Sequence, residues 1–95
     1  MSLDNFISYL QQILSMINPK DKYSVALGKS ALSTTIALAI SSEKVDPLTH
    51  RTMMRAEDQF EFLAQSAKDF AGKPGDFDGN EKRRRRLLMS ITPSC

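Results

Sequence analysis

The chain has 95 residues, of which 41% are hydrophobic, and a formal net charge of +2. This length holds one small domain with a modest core, so we expect a second copy of the chain to complete it. The composition excludes an internal disulfide, since Cys95 is the single cysteine, and no basic and apolar leader opens the chain. The sequence thus predicts an intracellular protein, cytoplasmic or nuclear.

The first predicted helix covers residues 3–17. Its apolar residues recur at spacings of one, three and four, which places them on one side of a helix: Phe6, Ile7, Leu10, Ile13, Leu14 and Ile17. Ser2 or Asp4 is suited to cap its start, and Asn18-Pro19 ends it.

The second predicted helix covers residues 21–43, with Asp21 as its N-cap. It is apolar on several sides and rich in small residues, so we expect it to be largely buried against neighbouring helices. Its most apolar stretch, residues 31–40, is confined by Lys29 and by residues 41–44. Because a spanning helix needs about 20 apolar residues, we expect no transmembrane segment.

The third predicted helix covers residues 47–71, with Asp46 as N-cap, Pro47 at the first helical position and Gly72 as the stop. Spacings of three and four place one set of apolar residues on a single seam: Met53, Ala56, Phe60, Leu63, Ala67 and Phe70. Phe62 lies off this seam, so it marks either a second buried face or an aromatic ring exposed for a partner.

The positive charge is concentrated after residue 72. Residues 1–72 hold seven Lys and Arg against eight Asp and Glu, whereas residues 73–95 hold six against three, which gives −1 and +3. Residues 73–80 are turn formers and predict a linker, after which Asn80 would cap a short helix. Repulsion among the arginines opposes that helix. We therefore divide the chain into a helical domain, 1–72, and a linker with a basic, flexible tail, 73–95.

The basic run consists of Lys82, Arg83, Arg84, Arg85 and Arg86. Arginine pairs well with phosphate, so the run favours the backbone of a nucleic acid as its partner. Three alternatives stay open for the same residues. They are an anionic membrane surface beside the apolar residues 87–89, a nuclear-import address, and a solubilising tail.

The helical domain itself offers two further cationic pairs. Lys22 and Lys29 lie seven residues apart on one side of the second helix, and Ser33 continues their line. Arg51 and Arg55 lie one turn apart on the third helix. Helix-borne cations of this kind follow the backbone of a duplex or structured nucleic acid, so we expect these four residues to add secondary phosphate contacts.

Catalytic and cofactor-binding patterns are missing from the sequence. Gly28-Lys29-Ser30 resembles the end of a phosphate-binding loop, but Tyr23 stands where that loop needs a glycine. His50 is the single histidine, so we expect it on the surface rather than in a metal site or a catalytic triad. We expect no enzyme activity, no cofactor and no metal.

Taken together, these patterns predict an all-α protein in which an antiparallel helical hairpin is covered by an N-terminal helix. We expect a non-enzymatic homodimer that binds RNA or DNA through phosphate contacts. The alternative is a helical adaptor or assembly subunit that meets another protein through its third helix or Phe62, with the basic tail serving solubility.

Overall fold

The computed structural model of the protein describes residues 1–92, and these residues form six α-helices and no β-strand. The all-α prediction is thus confirmed. The helices are α1 (Leu3–Met16), α2 (Lys22–Ser42), α3 (Pro47–Asp58), α4 (Phe60–Gln65), α5 (Ala67–Phe70) and α6 (Phe77–Ile91).

The predicted starts of the first three helices agree with the structure. Ser2 caps α1 by accepting a hydrogen bond from the Asn5 backbone N–H, and Asp21 caps α2 by accepting from that of Tyr23. Asp46 caps α3 in the same way, with Pro47 at the first helical position. Each cap satisfies a backbone donor that the helix itself leaves without a partner.

The third predicted helix is bent rather than straight. The backbone at Gln59 (ψ 6°) and Ser66 (ψ 25°) departs from the helical value of about −42°, which divides residues 47–70 into α3, α4 and α5. A straight helix would drift by about 20° per heptad away from a seam with a repeat of 3.5 residues. All six predicted seam residues, from Met53 to Phe70, are nevertheless buried, so the bends keep the seam aimed at the core.

The prediction of a flexible basic tail differs from the structure over residues 77–91, which form α6. Leu87 and Ile91 lie one turn apart on α6 and are fully buried against α1, α3 and α5. The N-cap of this helix is Asp76 rather than Asn80. The energy of burying these apolar side chains offsets the repulsion among the arginines. The connection before α6 is therefore shorter than predicted, and it turns at Gly75, whose φ is +77°.

The core lies at the centre of a layered arrangement. Both α1 and α3 contact α2, and both also contact α6, so α2 and α6 lie on the two sides of a middle layer. The fully buried residues Leu10, Phe60 and Leu87 bring α1, α4 and α6 into one hydrophobic cluster. The single domain thus includes residues that the sequence assigned to a tail.

The second helix is less buried than its composition predicts. Three residues face the core, namely Leu32, Ile36 and Ala39, whereas Leu27 is 73% exposed and Leu38 is 60% exposed. By length and composition alone, α2 is also the one helix within residues 1–92 that would suffice to cross a membrane. The apolar stretch considered in the sequence was too short, because it covered residues 31–40 and not the full 21 residues of the helix.

Candidate nucleic-acid interface

A groove of about 820 Å³ lies between the N-terminal half of α2 and α4. Three lysines line it: Lys20 from the α1–α2 loop, and Lys22 and Lys29 from α2. One carboxylate, Glu61, lies on the opposite wall. The groove therefore has an excess of positive charge, although residues 1–72 as a whole carry a net −1.

The helical repeat of α2 explains why the two predicted lysines converge. Lys22 and Lys29 are separated by two turns, so both side chains leave the same flank of the helix. Ser30 and Ser33 also line the groove. The predicted line of Lys22, Lys29 and Ser33 thus forms one wall.

Hydrogen bonds hold the loop that carries the third lysine. The Asn18 side chain accepts a bond from the Lys20 backbone N–H at 3.1 Å. From the opposite wall, the Gln65 side-chain amide of α4 donates to the Pro19 carbonyl oxygen at 3.0 Å. The first bond lies within the loop and the second ties the loop to the α4 wall, so Lys20 is held beside the other two lysines.

Close packing beneath the groove depends on Gly28. A Cβ atom at this position would lie 2.6 Å from Cδ1 of Ile17 and 3.1 Å from Cζ of Phe60. Glycine thus permits α2 to approach the end of α1 and the core aromatic ring. Gly28, Lys29 and Ser30 all lie inside α2, where the backbone N–H groups are used by the helix, so they do not form a phosphate-binding loop.

Phe62 forms part of the α4 wall and is 56% exposed. Its ring centroid lies 6.4 Å from that of Phe70, with the planes inclined by 57°. This contact orients the Phe62 ring while leaving more than half of the side chain accessible. The sequence marked Phe62 by its position off the seam, but it did not predict that the ring and the lysines share one groove.

Two of the predicted arginines are engaged inside the domain. Arg83 on α6 donates to Asp76 Oδ2 and to Asn80 Oδ1, both at 2.8 Å. The Arg83 hydrogen bond, together with that of the Gly79 backbone N–H, lowers the pKa of Asp76 below its ordinary value. Arg83 therefore stabilises the first turn of α6 and is poorly placed to bind phosphate.

Arg84 makes the second internal contact. Its guanidinium donates to Asp4 Oδ1 at 2.7 Å and to the Ser8 hydroxyl at 3.0 Å. These bonds join α6 to the first turns of α1. The basic run was predicted to act as one site. The structure instead separates it into two inward arginines and an outward group.

The outward group consists of Lys82, Arg85 and Arg86, and all three residues are exposed. Arg85 Nε lies 3.5 Å from Glu81 Oε1 on the same helix, in an ion pair open to solvent. Phe77 and Met89, near the two ends of α6, are each 84% exposed. This face of α6 remains available to an anionic partner, but it lies across the middle layer from the groove on α2.

The four cations that we predicted on α2 and α3 do not form one surface. Arg55 Nε donates to the Ile91 carbonyl oxygen at 3.0 Å and so caps the end of α6. Because α3 follows α2 after a short connection, Arg51 lies toward the C-terminal end of α2, whereas Lys22 and Lys29 lie toward its N-terminal end. Arg51 and Arg55 are therefore separated from the groove.

Within residues 1–92, no three His, Cys, Asp or Glu side chains come together in a group that could hold a metal ion. His50 lies exposed in the first turn of α3, as the sequence predicts. Cys95 lies outside the described residues.

The chain matches no protein-family model, no curated protein and no solved structure. Its functional residues are therefore inferred from its own charges, burial and contacts. Within residues 1–92, the groove brings three ammonium groups and one exposed aromatic ring onto facing walls. Lys20 was not among the predicted binding residues, and Phe62 was predicted as a contact for a protein partner rather than for nucleic acid.

Proposed function

We propose that this protein is a non-enzymatic nucleic-acid-binding protein, acting as a homodimer, that holds phosphates in the groove between α2 and α4. The convergence of Lys20, Lys22 and Lys29 on one groove carries this proposal. Each lysine that neutralises a phosphate releases a condensed counterion, which is the main source of affinity in backbone binding. The serine hydroxyls of the same wall add neutral donors to phosphate oxygens.

A duplex or a structured target suits this groove better than an extended single strand. Sequence-independent binding of single strands relies on several aromatic rings, on which successive bases stack. Phe62 is the one aromatic residue in the lining of this groove. A single ring supports contact with one unpaired base or sugar beside a phosphate track.

The outward cations of α6 supply a second contact in the proposal. Lys82, Arg85 and Arg86 are exposed, and none of them is drawn into the core. Their distance from the α2 groove means that a short nucleic acid would reach one surface, while a longer one would engage both.

The test is a binding titration with three fluorescent 20-mers, namely duplex RNA, duplex DNA and a single strand, each at two salt concentrations. The proposal predicts measurable affinity for at least one duplex and a marked loss of affinity at the higher salt concentration. Equal affinity at both salt concentrations, or no binding to any of the three, would contradict it.

A protein partner is the second candidate, since Phe62 is 56% exposed and aromatic rings are frequent anchors at protein interfaces. An adaptor that works through Phe62 would show no salt-dependent affinity for nucleic acid. The Phe62→Ala variant separates the two functions. It would abolish binding to a protein partner, whereas the salt dependence of duplex binding would persist because the lysines remain.

A further inference from the structure

The side of α2 that faces away from the core is exposed and uncharged, with three large side chains set among small residues. We call it the α2 outer face; it is formed by Tyr23, Leu27, Ser30, Ala31, Thr34, Ala37, Leu38 and Ser41, all of which are exposed. Tyr23 and Leu27 are each 73% exposed, and Leu38 is 60% exposed. Spacings of three and four residues along this face match those of a helix that packs along another helix.

An exposed group of large apolar side chains often marks a surface that another molecule covers. The core of this domain covers one side of α2, through Leu32, Ile36 and Ala39. The neighbouring helices α1, α3 and α4 all lie toward that side and its flanks. Within residues 1–92, the end of α1 borders this face, since Met16 and Ile17 line a groove together with Tyr23 and Leu27. Tyr23, Leu27 and Leu38 nevertheless stay largely exposed, so another molecule is needed to remove them from water.

We propose that the α2 outer face pairs with the same face of a second copy of this chain, in antiparallel orientation about a two-fold axis. The sequence of the face is self-complementary in this arrangement. When residues whose numbers add up to 65 are placed opposite each other, Leu27 meets Leu38 and Ala31 meets Thr34. Large residues then pack together at both ends, and small residues at the centre allow the two helices to approach closely.

Charge favours the antiparallel orientation over the parallel one. The same register places Lys22 at the level of Glu43 of the second copy, whereas parallel pairing would place it at the level of the second Lys22. The Glu43 carboxylate accepts a hydrogen bond from the Met1 ammonium group and is still 51% exposed. Antiparallel pairing also sets the positive end of each helix dipole beside the negative end of the other.

This pairing has a consequence for the lysine groove. A two-fold axis between antiparallel helices is perpendicular to the plane that contains both, so rotation about it keeps each flank on its own side of that plane. Lys29 precedes Ser30 by one residue and therefore lies about 100° around α2 from the outer face, on the α4 flank. The grooves of the two copies thus open on the same side of the dimer.

The dimer would carry one extended basic surface in place of two separate ones. In this register Lys22 of one copy lies 21 residues along the helix direction from Lys22 of the other, or roughly 30 Å at a rise of 1.5 Å per residue. One turn of a duplex spans about 34 Å, so the two Lys22 residues are spaced to contact phosphates about one turn apart on one side of a duplex. This second step rests on the proposed function, whereas the pairing of the outer faces does not.

Sedimentation equilibrium of the wild type and of the Leu27→Gln, Leu38→Gln double variant tests the pairing. We expect a dimeric wild type and a variant whose dissociation constant is at least about tenfold higher. Met89→Gln, a change of a similarly exposed residue on α6, is the control and should leave the dimer intact. Both leucines are exposed, so unchanged helical circular dichroism would show that the double variant folds. A monomeric wild type at high concentration, or one that binds phosphatidylcholine–phosphatidylglycerol vesicles through the leucines, would overturn the proposal.

Cysteine cross-linking tests the orientation in a Cys95→Ser background. An oxidised mixture of the Leu27→Cys and Leu38→Cys variants should form a covalent heterodimer, because the paired Cα atoms come within reach of a disulfide. Leu27→Cys alone should not cross-link, since its two copies lie 11 residues apart along the helices, or about 16 Å. Efficient cross-linking of Leu27→Cys alone would show parallel pairing and overturn the register.

Duplex titrations of the same variants separate this inference from the proposed function. If the pairing joins the grooves, the Leu27→Gln, Leu38→Gln variant should bind a 20-base-pair duplex at least about tenfold more weakly than the wild type, although all its lysines remain. Unchanged duplex binding by a monomeric variant would overturn the joined surface and leave the groove proposal standing. A wild-type dimer that binds no duplex would overturn the groove proposal and leave the pairing of the outer faces standing.

Discussion

Nη2 of Arg84 lies 2.7 Å from Oδ1 of Asp4, which joins two residues separated by 80 positions in the chain. The same guanidinium also bonds to the Ser8 hydroxyl. The Arg84 side chain is largely buried by this arrangement, whereas Asp4 remains 86% exposed. An arginine in the middle of the basic run therefore attaches α6 to α1.

Replacement of Arg84 by alanine should lower the free energy of unfolding by about 1 kcal/mol, since an exposed ion pair contributes little and the loss comes mainly from hydrogen bonds and packing. Arg85→Ala is the matched control, because Arg85 pairs with Glu81 in solvent and should change stability by less than about 0.5 kcal/mol. Urea unfolding monitored by circular dichroism measures both values. Equal stability of the two variants would contradict the structural role of Arg84.

Truncation after Lys73 should unfold or severely destabilise the domain, because it removes Leu87 and Ile91 from the core. The single change Leu87→Ala should cost about 2–5 kcal/mol, as do other large-to-small substitutions at fully buried positions. Met89→Ala on the exposed side of α6 serves as the control and should have little effect. A truncated chain with the wild-type thermal midpoint would show that α6 does not belong to the core.

Leu63→Ala should also cost about 2–5 kcal/mol, since Leu63 is fully buried on the seam of α4. The neighbouring Phe62→Ala variant removes a larger side chain that is 56% exposed, and it should cost less. Denaturant midpoints of these adjacent variants compare the buried and exposed sides of one short helix directly. A larger loss for Phe62→Ala would reverse the assignment of the two sides.

Acid should weaken the start of α6 through Asp76. The Arg83 guanidinium holds the pKa of Asp76 below its ordinary value of 3.8. The unfolded chain therefore takes up this proton more readily, so the stabilisation is present above pH 3.8 and is lost as the pH falls through the lower pKa of the folded state. The Asp76→Asn variant should lose less stability than the wild type between about pH 4 and pH 2.

Thermal unfolding at a series of pH values measures this difference. Asp78→Asn, on the same helix, is the matched control and should retain the acid dependence of the wild type. An identical acid dependence in the wild type and in Asp76→Asn would rule out the contribution of the Asp76–Arg83 pair.

The helix starts were predictable from local chemistry, because Ser2, Asp21 and Asp46 cap helices that immediately follow them. The fold of α6 was not predictable in this way. Its inward positions include Arg83 and Arg84, which a pattern of apolar spacing assigns to the surface. Their partners on α1 and in the preceding turn become visible when the chain has folded.

The lysine wall was partly predictable, because Lys22 and Lys29 share a flank of α2 by the helical repeat alone. The opposite wall depends on how α4 packs against α2, and no spacing in the sequence encodes that contact. The exposure of Leu27 and Leu38 was missed for a related reason. Composition shows that a face is apolar, but it does not show whether the covering surface belongs to the same chain.

The salt dependence of duplex binding by a triple lysine variant tests the proposed groove most directly. The variant combines Lys20→Gln, Lys22→Gln and Lys29→Gln, and its matched control combines Lys44→Gln, Lys68→Gln and Lys73→Gln, which remove the same charge elsewhere. The groove variant should flatten the slope of log affinity against log salt by about 0.9 per lost phosphate contact, while the control keeps nearly the wild-type slope. Equal slopes for the two variants would contradict phosphate binding in the groove.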